Sequence, residues 1–402
     1  MPTRRNATLF AAAALLCGIA VAAAPPALAQ DFRSCVAQLR GEATSKGVTA
    51  AVFDRALAGV EPDPKVIEAM QNQPEFKWPI WDYLAALVDE EKVAQGREML
   101  RRHAATLAEA ERIYGVDRHT IVAVWGVESD YGQISGRWPL VQSLSTAACL
   151  APRRRDFFKG ELISTLKIIQ RGDLRQEKLM GSWAGAFGHT QFIPSTYLRL
   201  AVDGDGDGRR DLVDSIPDAL HSTANFMKRA GWVTGATWGY EVRVPAGYSG
   251  PSGRRDKSPL SAWASRGLSR VDGGALSGSG AAGLLLPAGP NGPAFLVFKN
   301  YDAAFSYNGA DSYALAISLL SDRLRGRPGI RTPWPTDDPG LSRAERRELQ
   351  TLLVARGYDI GGPPTGAIGP RTRAAIEDVE RRIGMKPSGR PGQKVLAALR
   401  GR

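Results

Sequence analysis

Within residues 114–132, YGVDRHTIVAVWGVESDYG, Glu128 is a carboxylate placed on an otherwise apolar helix stripe. Ile121, Val124, Trp125 and Glu128 recur at i, i+3, i+4 and i+7, so on a helix the acid points the way its apolar neighbours point. Burial there disfavours the charged carboxylate and is expected to lift its titration above the ordinary glutamate value of about 4.3, toward the range of a general acid. Asp117 fits an N-cap and Gly132 a left-handed stop. The helix is then short, with Glu128 near its C-terminal end, where negative charge is disfavoured further. The competing reading is an acid buried against an Arg or Lys from elsewhere in the chain.

Two further stretches carry candidate chemistry. Residues 181–197, GSWAGAFGHTQFIPSTY, mix small residues with the neutral hydrogen-bonding groups of Ser182, Gln191 and Tyr197 and with aromatic rings. Such a mixture suits a sugar groove, because pyranose faces are apolar and their edges polar; it also suits a tightly packed turn with no ligand. Residues 203–214, DGDGDGRRDLVD, follow the spacing of an EF-hand calcium loop, with Asp203, Asp205 and Asp207 at positions 1, 3 and 5 and the Arg209 carbonyl at 7. Asp211 stands at position 9. Position 12 is Asp214 rather than glutamate, which leaves Asp218, just beyond, as an alternative last ligand. His103, His119, His189 and His221 show no zinc spacing, and nucleophile-elbow and phosphate-loop patterns are absent, which argues against metal hydrolase and phosphoryl-transfer classes.

The elements that must position these groups are mostly helical. Residues 1–29 read as a secretory leader: Arg4 and Arg5, an apolar run too short to span a membrane, and an Ala-Leu-Ala site at 27–29. Export to the periplasm is therefore expected. Leu15 and Leu16 before Cys17 do not suit a lipoprotein signal, and no later stretch suits a transmembrane anchor. The net charge is +11, of which Arg4 and Arg5 supply two, so +9 remains after cleavage. That surface suits a polyanion, but no aromatic stripe interleaved with bases points to nucleic acid. Cys35 and Cys149 remain, as a disulfide favoured by an oxidising compartment or as two buried thiols. Residues 30–324 read as amphipathic helices with a small sheet formed by 240–245, 284–287 and 295–298, and with a flexible glycine-rich loop at 273–283. Residues 325–340 hold four prolines and three glycines and read as an interdomain linker. Residues 341–402 show three apolar helix faces: Leu349, Leu352 and Leu353; Ile376 and Val379; Val395, Leu396 and Leu399.

Together these motifs resemble the lytic murein transglycosylase B family. The resemblance rests on residues 124–132, 183–194, the aspartate loop and the 307–313 segment YNGADSY, and spans roughly 35–324. It implies a mainly α, lysozyme-like helical domain with a small β insertion, acting on peptidoglycan glycan strands. Glu128 then matches the family's single acid/base, and Ser182, Gln191, Asn308 and Tyr313 match its sugar-site residues. Ser129, Tyr131 and Tyr197 are grouped with them as substrate-site candidates. The aspartate loop, through Asp203, Asp205, Asp207, Arg209 and Asp214 or Asp218, matches a calcium site, with its glycines and final ligand differing in detail. The reaction implied is non-hydrolytic cleavage between N-acetylmuramic acid and N-acetylglucosamine, leaving a 1,6-anhydro ring. Ordinary glycosidases place two carboxyls about 5 to 9.5 Å apart, whereas Asp130, two residues from Glu128, faces elsewhere on a helix. Residues 341–402 resemble the type 1 peptidoglycan-binding domain, a three-helix module, with Thr365 where an acid and Glu380 where a glutamine is usual. Other cell-wall enzymes are possible partners. The alternatives are a hydrolytic muramidase, a catalytically silent wall-binding scaffold, and a calcium-sensing adaptor, for which a second loop is missing.

Overall fold

The computed structural model describes residues 26–70 and 78–401, with backbone alone at 26–29. Residues 1–25, most of the expected leader, lie outside the described residues. Two helical cores make up most of the chain. The first gathers Pro26–Ser45, Ala50–Leu57, Leu140–Leu150, Arg155–Arg171 and Pro194–Leu200 around Phe32, Phe53, Leu144, Phe158 and Leu162. Cys35 and Cys149 form a disulfide between the first and third of these helices. The second core is built around Arg118–Ser129, whose residues from Thr120 to Gly126 are all buried. An all-round apolar helix is an interior one, and Glu90–Arg102, Ala104–Tyr114, Ile216–Arg229 and Asp311–Leu324 pack about it. Phe226 and Tyr307 pack against both cores and mark their junction.

The inserted sheet is antiparallel, in the order Ser269–Arg270, Gly239–Arg243, Ala294–Val297, Gly283–Leu285, with Val242 opposite both Arg270 and Ala294. Its inner face forms a third core with Trp263, Leu268 and Phe298. The loop expected to be flexible is packed onto this sheet. Leu276 joins its core, the Ser277 amide donates to the Tyr240 hydroxyl at 3.0 Å, and a Cβ on Gly278 would meet the Phe298 ring at 2.6 Å.

Helices Arg343–Ala355, Pro370–Arg382 and Gln393–Leu399 enclose a fourth core of Leu349, Leu353, Ile376, Val395 and Leu396. Ser342 and Glu345 form a capping box on its first helix. Glu380 is buried and accepts from the Ser388 amide and hydroxyl, both at 2.6 Å, and from the Gly389 amide at 2.8 Å. The buried carboxylate thus has three hydrogen-bond donors. The Pro/Gly segment before this module is pinned rather than free. The Arg331 and Thr332 amides both donate to Glu241 at 2.8 Å, and Trp334 packs on Trp81 with ring centres 6.3 Å apart.

Candidate active site

The helix carrying Glu128 begins where expected. Asp117 is its N-cap, accepting from the His119 and Thr120 amides. Its end differs from the sequence expectation. The helix stops at Ser129, and the left-handed stop begins at Asp130 (φ 54°), two residues before Gly132, with Tyr131 (φ 58°) and Gly132 (φ 86°) left-handed after it. Non-glycine residues hold that conformation when their surroundings over-determine it. Here Asp130 is buried, with Oδ1 2.7 Å from Lys92 Nζ and Oδ2 2.6 Å from Arg343 Nη1. Burial pushes its carboxyl up, but Arg343 and Lys92 outweigh this and hold it below the usual range.

Glu128 is half-buried beside the junction of the two helical cores, and the Tyr313 hydroxyl donates to its Oε1. Tyr313 is itself buried, with its ring stacked on Tyr307 at 6.2 Å and 19°. Burial, and then the charge of Glu128, push both phenols well above their ordinary value, so each stays a donor. Tyr307 donates to the Thr190 carbonyl at 2.6 Å, tying the 307–313 segment to the 183–194 segment. Gln191, also left-handed (φ 50°), donates to the Gly188 carbonyl at 2.8 Å and the Ser135 carbonyl at 3.3 Å. The Ser182 hydroxyl accepts from the Ala186 amide at 3.0 Å. Beneath these turns, Trp138–Pro139 pairs with Met180–Gly181, and a Cβ on Gly181 would stand 2.2 Å from the Ala186 carbonyl oxygen, so the close approach requires glycine. Asn308 is exposed at the end of Lys299–Asn308, before left-handed Gly309. A concavity of ≈ 840 Å³ lined by Trp78, Trp81, Phe305 and Asp311 adjoins this segment.

Three candidate substrate residues face inward. The Ser129 hydroxyl donates to the His189 carbonyl and accepts from the Gly132 amide. Tyr131 is buried, its hydroxyl 2.8 Å from the Lys92 carbonyl and its ring edge-on to Trp125. Tyr197 corrects the sequence expectation most clearly. It has no exposed surface, packs on Phe187 and donates to the Arg210 carbonyl, so it offers a sugar nothing to touch. The sequence reading missed Lys92, Tyr307 and Thr190 as partners of the site. Tyr307 lay inside a quoted motif, but nothing in sequence spacing could connect Lys92 to Asp130.

The aspartate loop closes on a different last residue from the one its spacing names. Carboxylate oxygens of Asp203, Asp205 and Asp218 lie within 4.8 Å of one another, whereas Asp214 pairs with Lys178 at 2.9 Å. Asp207 turns to the Arg209 amide at 2.8 Å, and Asp211 accepts from the Val213 and Asp214 amides, both at 2.8 Å. Asp218 is buried, and burial pushes its carboxyl up against the opposing Asp211 and Gly204 amides. Three acidic oxygens this close, one of them buried, are a donor set that suits a hard cation.

The chain matches the family described as Transglycosylase SLT domain over residues 31–322, and the Putative peptidoglycan binding domain over residues 342–399. It is 32% identical over 242 residues to membrane-bound lytic murein transglycosylase B of Escherichia coli K12, a match covering 59% of this chain and 65% of that protein, just under two thirds of its length. The crystal structure of SltB3 from Pseudomonas aeruginosa in complex with NAG-anhNAM-pentapeptide matches with a TM-score of 0.73 and 45% identity, over 92% of this chain and all of that one. Escherichia coli lytic transglycosylase Slt35 in complex with calcium matches with a TM-score of 0.65 and 28% identity, over 72% of this chain and 92% of that one.

Proposed function

Because the chain belongs to the transglycosylase SLT domain family, we propose that it is a lytic transglycosylase that cleaves the β-1,4 bond between N-acetylmuramic acid and N-acetylglucosamine in peptidoglycan. Glu128 is the single acid/base. Its protonated carboxyl gives a proton to the glycosidic oxygen as the bond to muramic C1 breaks. The resulting carboxylate then takes the proton of the muramic 6-hydroxyl as that oxygen bonds to C1, which closes the 1,6-anhydro ring and returns Glu128 to its protonated form. Tyr313, kept protonated by its burial, fixes one carboxylate oxygen throughout.

The observation that carries this reading is the state of Asp130. The acid two residues from Glu128 is buried between Lys92 and Arg343, so it does not serve as the second carboxyl of a hydrolase. Ser182, Gln191 and Asn308, with Tyr313, form the substrate side of the site, and residues 341–402 bind the wall. Asp203, Asp205 and Asp218 are the residues that would hold calcium, which would supply charge neutralisation between the loop and the Ile216–Arg229 helix. A periplasmic location follows from the leader reading and the substrate. Among the described residues no helix is long and apolar enough to cross a membrane.

Mass analysis of muropeptides released from purified peptidoglycan tests the assignment. Anhydro-muramic ends are expected, and are expected to vanish in Glu128→Gln. Reducing ends would instead establish a hydrolase, and wall binding without release a scaffold.

A further inference from the structure

The turn after Glu128 is held from two sides, and one side belongs to the C-terminal module. Lys92, almost fully buried, reaches both Asp130 and the Gly126 carbonyl, at 2.7 and 2.8 Å. Arg343, the first residue of Arg343–Ala355, donates its side chain to the other oxygen of Asp130 and its backbone amide to Asp89 at 2.9 Å. Asp89 is also the N-cap of the helix that carries Lys92, accepting from its amide at 2.8 Å. A single residue of the module thus engages the end of the Glu128 helix and the start of the helix that braces it. Without Arg343, buried Asp130 would face Lys92 alone, with one carboxylate oxygen deprived of its charged donor. Removing one member of such a buried group strongly disturbs the rest.

We propose that Arg343 is a positioning residue for Glu128, supplied by the wall-binding module: through Asp130 it fixes the left-handed turn that ends the Glu128 helix, so docking of the module completes the active site. This rests on the assignment of Glu128 made above. The module then acts as a part of the catalytic apparatus as well as an anchor. A role in docking alone is separable, because Arg347 on the same helix pairs with Glu91 at 2.8 Å in the same interface.

The test compares full-length Arg343→Gln, Arg343→Lys and Arg347→Ala with the unaltered protein and with Glu128→Gln, measuring kcat and KM for release of anhydro-ended muropeptides, and Tm. A misplacement of about 1 Å can cost roughly a hundredfold in rate, so Arg343→Gln is expected to lose about tenfold or more in kcat with KM little changed. Arg343→Lys, which keeps the charge and folds with it, is expected to recover part of that loss, and Arg347→Ala to retain normal kcat. Unchanged kcat in Arg343→Gln overturns the proposal. So does an equal loss in Arg347→Ala, or a loss that appears only in KM or that tracks Tm. Activity retained by Glu128→Gln would sink the earlier assignment instead, a result distinct from all of these.

Discussion

Gly126→Ala sets two known effects against each other within the helix that carries Glu128. Alanine in a helix interior is favoured over glycine by about 1 kcal/mol, so on helix propensity alone the variant should be more stable. The packing says otherwise. A Cβ at position 126 would lie 2.6 Å from Tyr131 Cζ and 2.7 Å from its Cε1 and hydroxyl oxygen, against 3.4 Å for ordinary contact. The ring must therefore retreat by about 0.8 Å, and it is confined by the Trp125 edge and by its hydroxyl bond to the Lys92 carbonyl. Overpacking of this kind costs about 1–3 kcal/mol, and leaving a buried hydroxyl unsatisfied about 1–3 kcal/mol more. After the propensity gain, a net destabilisation of about 1–5 kcal/mol is expected. Since Tyr131 belongs to the left-handed turn behind Glu128, turnover should fall as well, by tenfold or more in the sense of a displaced catalytic group. Urea unfolding read at constant m gives the stability, and initial rates of anhydro-muropeptide release give the turnover. A variant stabilised by about 1 kcal/mol with normal turnover would show that propensity wins, that the ring has room to move, and that the turn does not position the acid.

Tyr197→Phe is expected to lower stability by about 1 kcal/mol, the net value of one buried hydrogen bond, and to leave KM for peptidoglycan unchanged; a raised KM would return Tyr197 to the substrate site. Calcium should raise the Tm of the wild-type protein, and Asp218→Asn should abolish that rise while Asp214→Asn, which loses only the Lys178 pair, keeps it; the reverse order would restore the spacing-based ligand set. Asp117 is pushed up by burial but pulled down further by His119 and Arg325, to about 2. A depressed folded value contributes stability above the unfolded value near 3.8 that is lost as pH falls toward 2, at most about 2 kcal/mol for a group still partly open to solvent. Asp117→Ala should accordingly flatten the acid limb of the stability profile between pH 4 and 2, and an unchanged limb would contradict the assignment.

What the sequence disclosed and what it hid follow from the range of the interactions involved. The Asp117 cap and the apolar spacing around Trp125 act within one helical turn or two, so they were legible, as were the three apolar faces of the C-terminal module. The pinned linker was not, because its fixing depends on Glu241 and Trp81, each far away in sequence. Tyr197 shows a composition signal misplaced by packing: an aromatic beside polar residues reads as groove, yet its ring faces Phe187 in the core. Asp214 shows a spacing signal overridden by a neighbour, since Lys178 takes its carboxylate while it is buried Asp218 that lies beside Asp203 and Asp205. Asp130 is the most instructive residue. Its separation from Glu128 was expected from helical geometry, but the helix has already ended at Ser129, and what engages both Asp130 oxygens is a pair of cations separated from it by 38 and 213 residues. Both contacts are long-range, and one comes from a different folding unit. On the one-carboxylate mechanism proposed above, tertiary pairing keeps Asp130 from acting beside Glu128, so the surroundings of the site are set partly by residues that no motif around Glu128 contains.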